Sequence, residues 1–357
     1  MTRSGFAAPA LTPSDDGSDR AREIEARSIP IEDVKYDIVT IGDYAERPLQ
    51  LPIGLFIDGE DEGEPKQRIT EFTIRPNIHL GDFDEFLANL DPKQGDNPKR
   101  TVDTICAFLG GGKTKDGYHL GAIESLGGYD FREFVSQKTK YTSGAQLISN
   151  MFLGDVATIM FAARLQIGEY QGIDEETGEQ IDKNRIAVER ECPAPDCRER
   201  CRSFQTLKDI KIKSIPGLTD KPLFKFTLQH EINDGKSVIK HFYVEPLKLY
   251  QLGLFITGNK VPDIEMITAM VSEIPESEMY GRKAGSPLCS DLYKRMSTRD
   301  ISALRNAAGR LNPGPVTIID GIACACGQET FPYQINWARL PRQFLYQSFD
   351  LTTDDDL

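Results

Sequence analysis

Five of the seven cysteines stand in two short runs: Cys192, Cys197 and Cys201 in CPAPDCRERC, and Cys324 and Cys326 in CACG. Closely spaced thiols in a turn are the side chains that bind zinc as thiolates, and two such half-sites make one tetrahedral four-cysteine centre. The expected ligands are Cys192 and Cys197 from the first run and Cys324 and Cys326 from the second, with Cys201 able to replace Cys197. Four thiolates leave no coordination position open for water, so the metal is expected to be structural. The competing reading is a set of packed or exposed thiols that hold no metal. A reducing cytoplasm argues against a disulfide framework.

No other residues converge on a reaction. His79, His119, His230 and His241 are scattered singly, and Asp82 with Asp84 reads as a solvated acidic face. No nucleophile elbow, His-Glu-x-x-His helix or Cys/His dyad can be drawn from the spacing. The run AFLGGGKT approaches a phosphate-binding loop through Gly110–Thr114, but the pattern requires glycine at 107, where this chain has Ala107. A helix-like run also precedes it where a buried strand is needed. A nucleotide-binding protein using the Gly110–Thr114 loop is therefore the alternative, and a non-enzyme is the expectation. Near the C-terminus, Phe344, Tyr346 and Phe349 follow other aromatics, with Arg339 and Arg342 among them. They either fill the core beneath the second cysteine run or form an exposed anchor for a partner.

The elements that must position the cysteines are legible from periodicity. Ser297 with Asp300 three residues later opens a helix striped by Ile301, Leu304, Ala308 and Leu311, and Asn312-Pro313-Gly314-Pro315 stops it. Beyond Gly327, the alternation of Phe331, Tyr333, Ile335 and Trp337 predicts a strand. Upstream, PLQLPIGLFIDGE and RITEFTIRP predict a hairpin; DFDEFLANL and TVDTICAFL predict short helices. The stretch 110–144 reads as a long Gly-rich loop. A helix of about six turns is expected over AQLISNMFLGDVATIMFAARLQ, with Ile148, Met151, Phe152, Val156, Ile159, Met160 and Ala163 on its stripe. PLFKFTLQHEINDGKSVIKHFYVEP predicts a second hairpin with an Asn-Asp-Gly turn, and helices are expected at 247–255 and 263–274.

The two halves repeat an order. FTIRP at Phe72 matches FYVEP at Phe242; DTICAFL at Asp103 matches EMITAMV at Glu265; DVATIMFAARL at Asp155 matches DISALRNAAGR at Asp300; Cys192 matches Cys324. The matches are colinear, which predicts a duplicated unit. The expected fold class is α+β: two related units, each a β-hairpin plus helices followed by a Cys-containing knuckle. The expected organisation is a disordered arm at 1–35, a first unit at 36–215 with the insertion 110–144 and the knuckle 192–201, a second unit at 216–350 with the knuckle 324–327, and an acidic tail at 351–357.

A helix opening on Asp, a small-residue pair, a stop, a strand and a Cys-containing turn, present in both halves, resembles the baseplate hub and tail-assembly family of T-even-type contractile phages and parts of phage-derived injection systems. That family resembles a two-copy protein with a CPxCG-type zinc knuckle in each copy; here the first knuckle has four residues between cysteines and the second has one. The resemblance implies an assembly factor or minor baseplate component whose partners are other tail proteins. It implies a place in the cytoplasm of the producing cell during assembly, or in the tail baseplate of the particle.

The bulk composition agrees with partners that are proteins. With 42 Lys and Arg against 55 Asp and Glu, the net charge is -13, the wrong sign for tracking phosphates. The chain has no apolar run of the roughly 18 residues that a membrane span needs.

Overall fold

In the computed structural model, the structure describes residues 16–44, 49–58, 66–76, 78, 98–114, 117–167, 172–173, 180–181, 185–255, 269–276, 289–327, 331–335, 337–338 and 344–345. Among these, the elements run in chain order as follows. Helix α1 (Asp16–Arg27) and strands β1 (Ile29–Pro30) and β2 (Asp37–Thr40) lead into β3 (Leu49–Ile57) and β4 (Gln67–Ile74). Next come α2 (Pro98–Gly110), β5 (Gly112–Thr114), β6 (Gly117–His119), β7 (Ile123–Leu126), β8 (Tyr129–Asp130) and helices α3 (Phe131–Lys138), α4 (Gly144–Asn150) and α5 (Leu153–Gln166). The short pair β9 (Gly172–Ile173) and β10 (Gln180–Ile181) precedes β11 (Arg185–Glu191), β12 (Arg200–Thr206) and β13 (Lys211–Ser214). Then follow β14 (Phe224–Asn233), β15 (Val238–Val244), α6 (Leu249–Phe255), β16 (Val271–Glu273), α7 (Cys289–Arg295) and α8 (Thr298–Leu311). Strands β17 (Gly314–Pro315), β18 (Ile318–Ile322) and β19 (Phe331–Gln334) close the chain. The fold is α+β.

Two four-stranded sheets carry the two cores. One runs β3-β4-β7-β8 and the other β1-β14-β15-β16. A three-stranded sheet, β17-β13-β2, draws strands from the beginning, middle and end of the chain. The first core gathers Phe72, Ile105, Phe108, Phe134, Ile148 and Phe161, but also Trp337, Phe344 and Leu345 from the far end. The second gathers Phe224, Phe242, Ile274, Leu292 and Leu304 together with Ile53 and Phe152 from the first half. Each core therefore needs both halves of the chain.

Helix α5 is the centre of the packing. Every residue from Gly154 to Arg164 is buried, so it is a helix enclosed on all sides and not an amphipathic surface helix. The single long helix expected from the apolar spacing is in fact two, α4 and α5, broken at Met151 and Phe152, both extended in backbone. At the break, the Leu249 N–H donates to the Met151 carbonyl at 3.0 Å and the Leu153 N–H donates to the Leu247 carbonyl at 2.7 Å. The second half thus satisfies the backbone groups that the break exposes. Gly154 lies so close to β17 that a Cβ there would stand 1.5 Å from the Pro313 carbonyl oxygen.

Two buried carboxylates hold the helices to the sheets. Along β3 the chain advances from Gln50 to Leu55 while β4 advances only from Glu71 to Ile69, a wide bulge. Asp155, in the first turn of α5, fills it by accepting the N–H groups of Ile53 at 2.7 Å and Gly54 at 3.0 Å. Along β14 the chain advances from Thr227 to Ile232 while β15 advances only from His241 to Ile239. Asp300, in the first turn of α8, accepts the N–H groups of Gln229 at 2.7 Å and His230 at 3.3 Å. Ser297 caps α8 as expected, accepting the Asp300 N–H at 3.1 Å, and its hydroxyl also donates to the Asp300 carboxylate at 2.6 Å.

Several expectations are corrected. The stretch 110–144, read as a loop, forms β5 to β8 and α3 and buries Ile123, Leu126, Phe131, Phe134 and Val135; its glycines serve close approaches between backbones, as where a Cβ on Gly110 would meet Gly144 at 2.5 Å. The N-terminal arm, read as disordered, contains α1 and β1 from residue 16 onward. The helix expected over 263–274 is helical at 269–270 but gives way to β16 at Val271–Glu273, with residues 263–268 outside the described residues. The DFDEFLANL helix and the acidic tail also lie outside them.

The two carboxylates titrate in opposite directions. Burial pushes Asp155 up to about 7, against the pull of the Ile53 and Gly54 N–H groups and the Arg68 charge. Burial also pushes Asp300 up, but the Ser297 hydroxyl and the Gln229 and His230 N–H groups outweigh it and hold the carboxyl below its ordinary value. A raised acid contributes stability at low pH that fades as pH rises through its folded value; a depressed acid contributes stability above the carboxylate range that fades on acidification. The destabilisation by Asp155→Asn should therefore shrink as pH rises from about 4 to about 7, whereas that by Asp300→Asn should shrink below about pH 4, both read from chemical unfolding midpoints. Parallel trends for the two variants would refute the assignment. Asp155→Ala leaves two buried N–H groups without an acceptor and should cost about 2–4 kcal/mol at neutral pH. Gly154→Ala drives a methyl into backbone and should cost at least about 3 kcal/mol in the same measurement.

Candidate metal centre

Two antiparallel hairpins present the thiols. β11 and β12 pair from Arg185↔Thr206 to Glu191↔Arg200, and the loop between them carries Cys192 and Cys197. Within it the Cys192 N–H donates to the Glu199 carbonyl at 3.0 Å and the Cys197 N–H to the Ala194 carbonyl at 3.1 Å, a tight turn that aims both sulfurs to one side. β18 and β19 form the second hairpin, and its loop carries Cys324 and Cys326. There the Gly327 N–H donates to the Cys324 carbonyl at 3.1 Å, and Gly327 adopts a φ of +85°, which a glycine reaches without strain. Gly327 is thus the residue that lets the second turn close.

The four expected ligands converge. The sulfurs of Cys192, Cys197, Cys324 and Cys326 all lie within 4.8 Å of one another. Cys192 Sγ is 3.6 Å from Cys326 Sγ, and Cys197 Sγ is 3.6 Å from Cys324 Sγ. A tetrahedron with ~2.3 Å metal–sulfur bonds has sulfur–sulfur edges of about 3.8 Å. Both of these close contacts cross from one hairpin to the other, so the arrangement fits a shared four-thiolate site and could hold a metal ion. Tetrahedral sulfur coordination suits zinc or iron. Cys192 and Cys324 are buried, Cys197 is partly so, and Cys326 is exposed.

Cys201 stands outside this set. It is buried in β12, its thiol 3.9 Å from the Glu199 carbonyl oxygen. Its contact with the centre is a hydrogen bond that helps bring Cys324 down to about 7, after the larger effect of the Cys326 N–H. The Glu199 backbone N–H favours the Cys197 thiolate, but burial and the neighbouring Cys324, Cys326 and Cys192 sulfurs together outweigh it and push the thiol up to about 12. Four thiols this close cannot all ionise without a cation among them, so metal binding and proton release are linked. Glu199 is the residue that sequence reasoning missed. Its carboxylate lies 3.8 Å from Cys324 Sγ while its main chain accepts from Cys192; only its place two residues before Cys201 could have hinted at it.

The other expected residues separate from the centre. Phe344 is buried against Phe161, ring centroids 4.8 Å apart, so it fills the first core and is not an exposed anchor. Tyr346 and Phe349 lie outside the described residues. The Gly110–Thr114 loop follows α2 and enters the β5–β6 hairpin, the reverse of the strand-to-helix order that a phosphate-binding loop needs. His241 contacts Glu276 at 3.6 Å and stacks edge-on to Tyr243, whereas His230 sits beside Asp300. Among the described residues no helix is long and apolar enough to cross a membrane. No known protein family, curated protein or solved structure matches the chain.

Protein purified without chelator should carry about one metal ion per chain, and Cys192→Ser or Cys324→Ser should lose it. Cys201→Ser should keep the full stoichiometry, because its thiol lies outside the tetrahedron; loss of metal from this variant alone would reassign the ligand set. Because the ligands join two hairpins, removing the ion with a chelator should lower folding stability by several kcal/mol, about 5 or more. Elemental analysis and unfolding curves read both.

Proposed function

We propose that this chain is a duplicated scaffold clamped by one structural zinc ion, and that it works by protein–protein contact in assembling a contractile-tail baseplate or a related injection system. The observation that carries the scaffold reading is the four-thiol centre built from two hairpins far apart in the chain. Duplication is supported by the order repeated around it. In each half a wide bulge in the first strand of a hairpin is filled by the carboxylate of an Asp in the first turn of a later helix, and a cysteine hairpin follows that helix. Asp155 and Asp300 are the pair that the sequence comparison aligns. The two bulges are not superimposable residue for residue, since Asp155 binds three and four residues past Gln50 and Asp300 binds two and three past Thr227.

Zinc is favoured over iron because a site formed by two chain segments far apart in sequence is a cross-link, and a redox-inert ion keeps a cross-link closed. With four thiolate ligands the ion has no vacant position at which to activate water. The tail context rests on the sequence resemblance, and the acidic composition suits a partner that is protein and not nucleic acid. Its place would be the cytoplasm of the producing cell during assembly, or the finished particle.

Quantitative mass spectrometry of producing cells and of their purified tail particles tests the reading. Retention at fixed stoichiometry in the particle makes the chain a baseplate component. Presence in cells together with tail proteins, but absence from particles, makes it an assembly factor. A chain that co-purifies with neither tails nor tail proteins would sink the tail assignment and leave the scaffold.

A further inference from the structure

The four-thiol centre has a chemistry apart from holding a metal, because its sulfurs pair across the two hairpins and one of them faces solvent. Cys326 is exposed, and its sulfur lies 3.6 Å from that of Cys192. Cys197 is partly buried, and its sulfur lies 3.6 Å from that of the buried Cys324. Both contacts join the β11–β12 loop to the β18–β19 loop. Sulfurs at this separation touch, and side-chain rotation can bring them to the roughly 2.05 Å of a disulfide bond. Other pairings are less well placed. Cys324 and Cys326 flank a single residue in a turn already closed by the Gly327 N–H on the Cys324 carbonyl at 3.1 Å. Cys201 is fixed in the ladder opposite Arg190, with its thiol turned to the Glu199 carbonyl oxygen at 3.9 Å.

We propose that this centre is a site of reversible oxidation by a two-electron oxidant of the peroxide class, which replaces a metal clamp with two disulfides, Cys192–Cys326 and Cys197–Cys324. The proposal rests on the four-thiol reading of the centre and adds its regulation. Cys326 reacts first, because it is the sulfur that solvent reaches. Its thiolate attacks one oxygen of hydrogen peroxide; the S–O bond forms as the O–O bond breaks, giving a sulfenic acid and hydroxide. The Cys192 thiolate then attacks the Cys326 sulfur, the S–S bond forms, and the sulfenic oxygen leaves as a second hydroxide. A second peroxide oxidises Cys197 and Cys324 in the same way. Each disulfide thus takes two electrons from two thiolates and passes them to one peroxide. Metals are held by thiolates, so an ion bound there is released. Because both bonds run from one hairpin to the other, the cross-link outlasts the ion.

Peroxide titration of the full chain, beside a sample stripped with a chelator, tests this. About two equivalents of hydrogen peroxide should release the ion to a coloured indicator. Peptide mapping without reductant should find the two cross-hairpin pairs, with Cys192–Cys326 formed first. Cys106, Cys201 and Cys289 should stay open to alkylation after denaturation. The oxidised protein should keep an unfolding midpoint near the parent's, whereas that of the stripped, reduced protein falls; dithiothreitol with zinc should return the oxidised protein to the parent state. Oxidising the stripped sample separates the two ideas. If the purified protein holds no metal but the same two pairs form, the metal reading fails and the disulfide proposal stands. If metal is bound and oxidation gives a pair within one hairpin, a pair using Cys201, or sulfinic acid without disulfides, the proposal is overturned and the metal reading stands. An oxidised protein as unstable as the stripped one would overturn it too, since the cross-link would then not have survived.

Discussion

Everything in this molecule turns on closing long loops of chain. Cys192 and Cys326 are 134 residues apart in sequence and 3.6 Å apart in space. Bringing such distant segments together costs conformational entropy that no single hydrogen bond repays. Four thiols at this separation also repel one another as thiolates, so the centre is unfavourable until a cation joins it. A metal ion held there would convert that penalty into a cross-link between the β11–β12 and β18–β19 hairpins. Neither hairpin pairs with a third strand among the described residues, and isolated two-stranded hairpins are marginal in water. The centre and the core beneath it are what make them permanent.

The buried carboxylates solve a related problem at shorter range. A wide bulge turns backbone N–H groups away from the sheet ladder and leaves them needing acceptors. Asp155 and Asp300 supply those acceptors and, because each sits in the first turn of a helix, they also fix where α5 and α8 cross the sheets. One side chain thus satisfies two donors and sets one packing geometry. Removing it breaks both, whereas an apolar residue of similar size could fill the space and still leave the donors unmet.

Much of this was legible in the sequence where a local pattern governs the outcome. Both hairpins, the Ser297 cap and the turns that carry the four converging cysteines follow from turn chemistry and spacing that act within a few residues. What sequence reasoning misread was decided by contacts from far along the chain. The α4–α5 break at Met151–Phe152 has no proline or glycine to announce it; it exists because Leu247 and Leu249 take up the freed backbone groups. The Gly-rich stretch 110–144 looks like a loop because its glycines are read as flexible, although Gly110 and Gly144 serve to let two backbones touch. Asp155 and Asp300 were aligned by sequence, yet nothing local told that each carboxylate would be buried on a strand 70 residues or more away.

The metal centre and the first core are one structure. Cys192, Cys201 and Cys324 are buried among the residues of that core, with Ile335, Trp337, Phe344 and Leu345 arriving from beyond the second cysteine hairpin. Phe344 lies on Phe161 of α5, the helix whose first turn carries Asp155. A disturbance at the thiols therefore has a packed route to the β3 bulge: from the second hairpin to Trp337 and Phe344, through α5, to Asp155. Close-packed interiors transmit such displacements because they have little free volume to absorb them. Ile53, beside the bulge, belongs to the second core, so the route ends in both. An ion held by these thiols would do more than staple two loops; its binding free energy would be shared by the packing of each half against the other.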